Sequence, residues 1–290
     1  FDIHTGATVF CNRISDDTIF VTCREDSSGG VLGVTSRKGQ VLSISVNEST
    51  LVPYLVSVNQ SPLAIQLASR LNLPGAEGMY IAEFNRLFGS GDVNGAARLA
   101  AESPQGVLRT KETIEKFQQL PVVPGQSPPM LQYFKILLEK GKLNHLESIE
   151  LARIVLQQNR QQMLENWLKE DKLECSEELG DMVVQFDAKL ALSVYLRANC
   201  PEKVVNCFLH SGDYDKIVAY SNKVGYSPDY ILMLQNVVRQ NPQGAEMLAK
   251  LLVNNEGGSL VDIGMVVDVF MQLNRIEETT SFLLDALKEI

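Results

Sequence analysis

Two textures of apolar and polar positions divide the chain near residue 47. Over residues 1–47 the two kinds alternate in short runs. In 18–23, Ile19, Val21 and Cys23 alternate with Thr18, Phe20 and Thr22; in 41–46, Leu42, Ile44 and Val46 alternate with Ser43 and Ser45. A period of two puts each set on one face of a strand. Residues 31–35 give a further strand, entered from the turn Ser27-Ser28-Gly29-Gly30. Segments 1–3 and 8–11 are predicted strands flanking Asp2-Ile3-His4-Thr5-Gly6, a hairpin turn in which Gly6 supplies a positive φ. Short strands at roughly ten-residue spacing suggest a sandwich, a barrel or propeller blades. The turn Asp2-x-x-Thr5-Gly6 favours blades. With three strands after the first hairpin, the last blade is one strand short, so an unpaired sheet edge is expected.

From residue 48 onward the period changes to that of helices. Ala64, Leu67, Ala68 and Leu71 share a face, as do Val266, Val269, Phe270 and Leu273. Met163, Leu164, Trp167 and Leu168 make a third stripe, and Leu146, Ile149, Ala152 and Leu156 a fourth. Ser61-Pro62, Ser127-Pro128 and Ser227-Pro228 are read as helix starts, each with serine at the N-cap and proline at N1. No strand pattern returns after Val46. Turns recur with a loose form, as in Gly91-Asp92-Val93, Gly141-Lys142-Leu143, Asp171-Lys172-Leu173, Gly212-Asp213-Tyr214 and Asn274-Arg275-Ile276. Small residues at Ala96-Ala97 and Ala100-Ala101 mark close helix approach. The pattern predicts a degenerate helix-hairpin solenoid, elongated because each pair buries its apolar face only on its neighbours. The run 122–129, Val-Val-Pro-Gly-Gln-Ser-Pro-Pro, breaks the helices and reads as a surface loop rather than a bend.

Composition narrows the role. The 290 residues carry a formal net charge of −9, with scattered lysines and arginines. That excludes the clustered basic footprint of nucleic-acid or anionic-lipid binding. No apolar run approaches the ~20 residues of a membrane span, so no membrane insertion is expected. The opening Phe1-Asp2-Ile3 reads as strand, and the chain is taken as a fragment of a longer protein. Cys11, Cys23, Cys175, Cys200 and Cys207 are odd in number and widely spread, and are expected as reduced, mostly buried thiols of a cytosolic protein. The sequon Asn47-Glu48-Ser49 is then an accidental match. Ser36-Arg37-Lys38-Gly39 reads as a polar turn.

Chemistry-bearing residues do not converge. His4, His145 and His210 lie far apart; His210 and Cys207 share a helical face without further ligands, so no metal is expected. Ser28-Gly29-Gly30-Val31-Leu32-Gly33 matches no phosphate loop, and no nucleophile elbow occurs. Glu174, Glu177 and Glu178 read as helix-start charges rather than a catalytic pair. Trp167 reads as core, with a peptide-anchor role the lesser reading. No catalytic, cofactor-binding or peptide-binding residue is assigned, and an enzyme is not expected.

The stretch Trp167-Leu168-Lys169-Glu170-Asp171-Lys172-Leu173-Glu174-Cys175-Ser176-Glu177-Glu178-Leu179-Gly180-Asp181 resembles the clathrin heavy chain family. So do Leu190-Ala191-Leu192-Ser193-Val194-Tyr195-Leu196-Arg197-Ala198-Asn199, Arg37-Lys38-Gly39-Gln40-Val41-Leu42, Leu131-Gln132-Tyr133-Phe134, Lys223-Val224-Gly225-Tyr226 and Phe282-Leu283-Leu284-Asp285-Ala286-Leu287-Lys288. The resemblance runs from end to end. It implies a mainly α fold: an α-α superhelix preceded by the last strands of an incomplete β-propeller. Residues 1–47 would close the propeller, 48–160 would be the α-solenoid linker, and 161–290 the start of the distal leg. It further implies a structural coat role in vesicle transport and endocytosis, at the cytoplasmic face of coated pits and vesicles. Partners would be other heavy chains in the lattice, with adaptor proteins bound mainly by earlier propeller blades. Light-chain and trimerisation sites would lie outside this segment, which would be monomeric. The alternative is a free-standing cytosolic α-solenoid adaptor that binds peptides in its groove.

Overall fold

The computed structural model describes residues 1–24, 30–122, 125, 127–255 and 258–286. The turn expected at 27–29, the side chain of Cys23 and the centre of the 122–129 loop lie outside the described residues. The chain forms two compact units, Phe1–Glu147 and Ser148–Ile290.

The first unit opens with β1 (Ile19–Arg24), β2 (Val31–Thr35) and β3 (Val41–Ile44), an antiparallel sheet in the order β1-β2-β3. Phe20 pairs with Val34 and Val34 with Val41, and the β1 register shifts between Val21 and Cys23. β1 and β3 each have one strand neighbour among the described residues, so both outer edges are unpaired there. The polar turn at 36–39 is present: the Thr35 N–H donates to the Gln40 carbonyl at 3.0 Å, and the Gln40 N–H to Thr35 Oγ1 at 2.9 Å.

The first hairpin departs from expectation. Its turn forms, with Gly6 at φ 69°. The Gly6 N–H reaches the Asp2 carbonyl at 2.8 Å, and the Asp2 N–H reaches the Ala7 carbonyl at 2.9 Å. Residues 1–3 and 8–11 are nevertheless not strands. No further backbone pair closes across the turn among the described residues, so the ladder never propagates. The segment is held by side chains instead. Asp2 accepts from Thr5 Oγ1 at 2.6 Å and pairs with Arg70, and Phe10 meets the Tyr54 ring edge-on at 5.6 Å.

Helices follow: α1 (Glu48–Ser57), α2 (Ser61–Leu71), α3 (Glu77–Gly89), α4 (Val93–Glu102), α5 (Lys111–Gln118) and α6 (Pro129–Lys140). Then α7 (His145–Gln157) carries the chain from the first unit into the second. In the first unit α1 packs on α2, α3 on α4, and α6 on both α4 and α5. Ala96, Ala97 and Ala100 are fully buried, which gives α4 the close approach their size permits. An aromatic chain fills the core between α3, α5 and α6. Phe117 lies 6.2 Å from Phe84 and stacks on Tyr133 at 4.5 Å, and Tyr133 lies 5.6 Å from Phe134.

The second unit continues with α8 (Gln161–Lys169), α9 (Glu177–Val183), α10 (Ala188–Arg197), α11 (Pro201–Ser211) and α12 (Tyr214–Val224). It ends with α13 (Tyr230–Gln240), α14 (Pro242–Val253), α15 (Ile263–Gln272) and α16 (Ile276–Ala286). Antiparallel neighbours pack as hairpins: α9 with α10, α11 with α12, α13 with α14, α15 with α16. Next-but-one neighbours pack as well. The series α12-α14-α16 makes one row and α13-α15 another. That two-row stacking is the solenoid rule, in which a hairpin completes its burial on the hairpin beside it.

Details of the helix reading shift. Each stripe is narrower by its outermost member: Leu71 is 53% exposed and Leu146 41%, while Ala64, Ala68, Ala152 and Leu156 are buried. Met163 is exposed, and Trp167 and Leu273 are half-buried. None of the three serines is the N-cap. Ser61 is already inside α2, Pro128 caps α6, and Asp229 caps α13 by accepting the Leu232 N–H at 3.0 Å. Proline can occupy either of the first two helical positions or precede them, so a Ser-Pro pair fixes the start only to within a residue or two.

All but one of the recurring turns named from the sequence share one geometry. A residue in the left-handed region follows the helix, and the next N–H turns back to a carbonyl five residues earlier. Asn59, Asn159, Asn199 and Asn274 take this position at φ 53° to 59°. The returning bonds are Gln60 to Leu55 at 2.8 Å, Arg160 to Val155 at 3.0 Å, Cys200 to Tyr195 at 3.1 Å and Arg275 to Phe270 at 2.9 Å. Asp171, Gly91 and Gly212 serve likewise; Gly141, at φ 174°, is extended and does not. Asparagine tolerates the conformation because its short amide bonds locally.

The first unit also buries an ion pair. Glu147 is 0% exposed, and the Arg109 side chain, 20% exposed, donates to it from Nε at 3.0 Å and again from Nη2. Arg109 also donates to the Lys142 carbonyl at 2.8 Å, and the Tyr133 hydroxyl lies 3.3 Å from Glu147 Oε1. Asn144 and Glu147 form a reciprocal capping box at the start of α7, both bonds 3.0 Å. Burial, and then the Glu147 charge, push the Tyr133 phenol well above its usual range.

Two outcomes are expected in urea denaturation of the chain. Asn199→Val forces a β-branched residue into the left-handed region and costs about 1–2 kcal/mol, whereas Asn199→Gly stays within about 0.5 kcal/mol of wild type. Arg109→Ala leaves Glu147 buried without its cation and costs about 3 kcal/mol. The double variant Arg109→Met/Glu147→Gln recovers part of that loss, because it removes the charge as well as its partner.

Candidate functional site

Two stretches that carry the sequence resemblance fold against each other as α9 and α10. Ser176 starts α9, its Oγ accepting the Leu179 N–H at 3.2 Å, with Glu177 and Glu178 in the first turn where carboxylates meet the helix's positive end. Asp187 starts α10 and accepts from the Lys189 and Leu190 N–H groups at 2.9 and 3.0 Å. Between them Gly180 lies directly beneath the Tyr195 ring: a Cβ at Gly180 would stand 2.2 Å from Tyr195 Cε1. The Tyr195 hydroxyl donates to Asp181 Oδ1 at 2.7 Å, and Lys203 Nζ on α11 donates to the same oxygen at 2.7 Å. Glu177 adds a second carboxylate 3.5 Å from Lys203.

Electrostatics mark this as a clamp across three helices. The Lys203 and Tyr195 hydrogen bonds hold the Asp181 carboxyl below its usual range, and the bond to Asp181 pushes the Lys203 ammonium up. Burial, then Asp181, pushes the Tyr195 phenol above its usual range. At neutral pH the acid is ionised, the base protonated and the phenol neutral, so each group is locked away from proton transfer. Burial also raises the Cys200 and Cys207 thiols, which lowers the fraction present as nucleophilic thiolate.

The other residues singled out in the sequence remain apart. His4 lies in the N-terminal turn and His145 starts α7, while His210 Nδ1 bonds the Asn206 carbonyl at 2.7 Å on α11. Among the described residues no group of three His, Cys, Asp or Glu side chains could hold a metal ion. Cys11 is exposed and Cys175, Cys200 and Cys207 are half-buried, against the expectation of mostly buried thiols; each sits in a loop or on a helix flank rather than on a core stripe. Asn47 of the sequon caps α1, its Oδ1 accepting from the Ser49 N–H at 3.0 Å and the Ser49 hydroxyl at 2.7 Å. A groove of about 620 Å³ opens between α11 and α13 in the second unit. Asn206, Asn236, Gln240 and Asn241 line it over an apolar floor of Leu209 and Val237, together with His210.

Sequence reasoning missed Gly180 beneath Tyr195 and Glu147 with Arg109. The Asn-x-x-Glu spacing at 144–147 was a readable capping signal, but a glycine within a helical run does not announce which ring it accommodates. Gly180→Ala is expected to cost about 3 kcal/mol, because the added methyl overlaps ring atoms that α9 and α10 hold rigidly. Denaturation midpoints of Gly180→Ala alone and combined with Tyr195→Leu check the cause: the smaller side chain should restore part of the loss.

Residues 72–137 match the family model described as Clathrin-H-link. Curated relatives match over nearly the whole chain. "Clathrin heavy chain 2" of Homo sapiens is 52% identical over 289 residues, which are 99% of this chain and 18% of that protein. "Clathrin heavy chain 1" of Oryza sativa subsp. japonica and "Clathrin heavy chain" of Drosophila melanogaster are each 51% identical, again over 99% of this chain and 17% of theirs. None of these relatives is named as a free-standing adaptor, and nothing else supports that reading. Along 99% of its length the chain is thus similar, at 51–52% identity, to clathrin heavy chains, of which it spans 17–18%, and its residues 72–137 match the linker model of that family.

Proposed function

We propose that the chain is a load-carrying segment of a clathrin coat, joining an adaptor-binding β-propeller to the leg that builds the lattice. The supporting observation is identity of 51–52% to heavy chains of animals and a plant across 99% of the chain, with the linker model falling on 72–137. In this reading residues 1–47 end the propeller, 48–160 form the linker and 161–290 begin the distal leg. The physical basis is hairpin stacking: in the second unit α13, α14 and α15 each pack on a hairpin partner and on a helix of a neighbouring hairpin, so rigidity comes from many small interfaces. The work is mechanical, and no catalytic step is assigned. Its partners are other heavy chains, each contact weak and the assembled lattice held by avidity. The place of action is the cytoplasmic face of coated pits and vesicles.

A chimera tests this. The segment of a full-length heavy chain that aligns with residues 1–290 is replaced by this sequence, and cage formation is followed by light scattering and electron microscopy. Closed cages of ordinary size are expected. A chimera that folds and trimerises yet forms no cages would refute the coat role. A second form of the chimera, carrying Gly180→Ala, is expected to assemble less readily, since the clamp between α9 and α10 sets the stiffness of that hairpin.

A further inference from the structure

We propose that Ser227 is a phosphorylation site for a proline-directed serine/threonine kinase. The inference rests on the loop that precedes α13 and is independent of the coat role.

Four Ser-Pro pairs occur, at Ser61, Ser103, Ser127 and Ser227. A proline after the acceptor has no N–H to satisfy and holds the preceding residue extended, and these are the features such kinases select. The acceptor must also enter the kinase cleft on an extended backbone. A serine in a helix or core reaches it only after local unfolding.

The structure separates the four. Ser61 is the first residue of α2 and is half-buried. Ser103 is 7% exposed; its Oγ donates to the Ala100 carbonyl at 2.7 Å and accepts the Leu108 N–H at 3.3 Å. Ser127 is exposed, but its carbonyl accepts the Gln132 side-chain amide at 2.6 Å, which ties it to the first turn of α6. Ser227 is exposed within 226–229, a run without helix or strand that follows Gly225 at φ 69°. The capping role that sequence gave its hydroxyl belongs to Asp229, which accepts the Leu232 N–H.

The charge that would be added falls near a positive helix end, beside the Asp229 carboxylate that already caps it. A phosphoserine brings roughly −1.5 to −2 charges. At Ser227 they would stand two residues before the cap of α13, an 11-residue helix whose positive end favours anions. In the transfer, Ser227 Oγ attacks the γ-phosphorus of ATP. The new O–P bond forms as the bond to the β-phosphate oxygen breaks, ADP leaves with that electron pair, and the hydroxyl proton passes to the kinase's carboxylate base.

The test uses the folded 290-residue chain with a proline-directed kinase, ATP and Mg²⁺, and follows each site by phosphopeptide mass spectrometry. Ser227 should be modified about tenfold or more faster than Ser61 and Ser103, and Ser227→Ala should remove that phosphopeptide. In urea-unfolded chain diluted into the kinase, the advantage over Ser61 and Ser103 should shrink to within a few-fold. A short unstructured peptide spanning 221–233 serves as the substrate control. If the kinase modifies that peptide but leaves Ser227 of the folded chain untouched, or labels Ser61 or Ser103 as fast, the proposal is overturned.

Discussion

A helical hairpin in this chain cannot cover its own apolar surface. Leu248, Ala249 and Leu252 on α14 are fully buried only because α14 meets α12 and α16 as well as its hairpin partner α13. The same holds for Val266 and Phe270 on α15, which packs on both α13 and α16. Burial at about 25 cal/mol per Å² is the favourable term, and stacking is the condition for realising it. The turns, the caps and the small residues at crossings are arranged to meet that condition.

The turns meet it most directly. Two helices packed side by side and joined by so few residues need a chain reversal within one or two positions. A single left-handed residue after the helix supplies it, while the returning N–H satisfies one of the helix's last carbonyls. Asn59, Asn159, Asn199 and Asn274 fill the position where glycine would bring more unfolded-state freedom. Polar side chains then fix angles that apolar packing leaves loose. Tyr195 and Lys203 converge on Asp181 from α10 and α11, and Arg109 ties the segment before α5 to the capping box of α7 through Glu147. A hydrogen bond loses strength steeply with misalignment, so such contacts define geometry more sharply than leucine on leucine.

These features agree with the load-carrying role proposed above. Most ionisable groups that depart from their usual range are held by ion pairs, hydrogen bonds or burial, as Asp181, Lys203 and Tyr195 are. The groove between α11 and α13 is lined mainly by side-chain amides over an apolar floor. Similarity to clathrin heavy chains and local physics therefore point the same way, toward the coat segment proposed above, and Ser227 is an exposed serine in one of its loops.

The class of structure is legible in local pattern alone. Period two up to residue 47 and period 3.6 from residue 48 put β1 to β3 and α1 almost where they lie, because side-chain direction along a strand or helix is a local property. Turn chemistry at Gly6 and at Ser36-Arg37-Lys38-Gly39 was legible for the same reason. That residues 1–3 and 8–11 are not strands is a matter of packing, since a strand exists only where another backbone completes its ladder. Packing also decided that Leu71 and Leu146 face outward, since the width of a buried stripe depends on the partner's shape. Gly180 beneath Tyr195, and Arg109 beside Glu147 thirty-eight positions along the chain, were hidden for the same cause: which residues meet across helices is set by packing, and no local pattern encodes it.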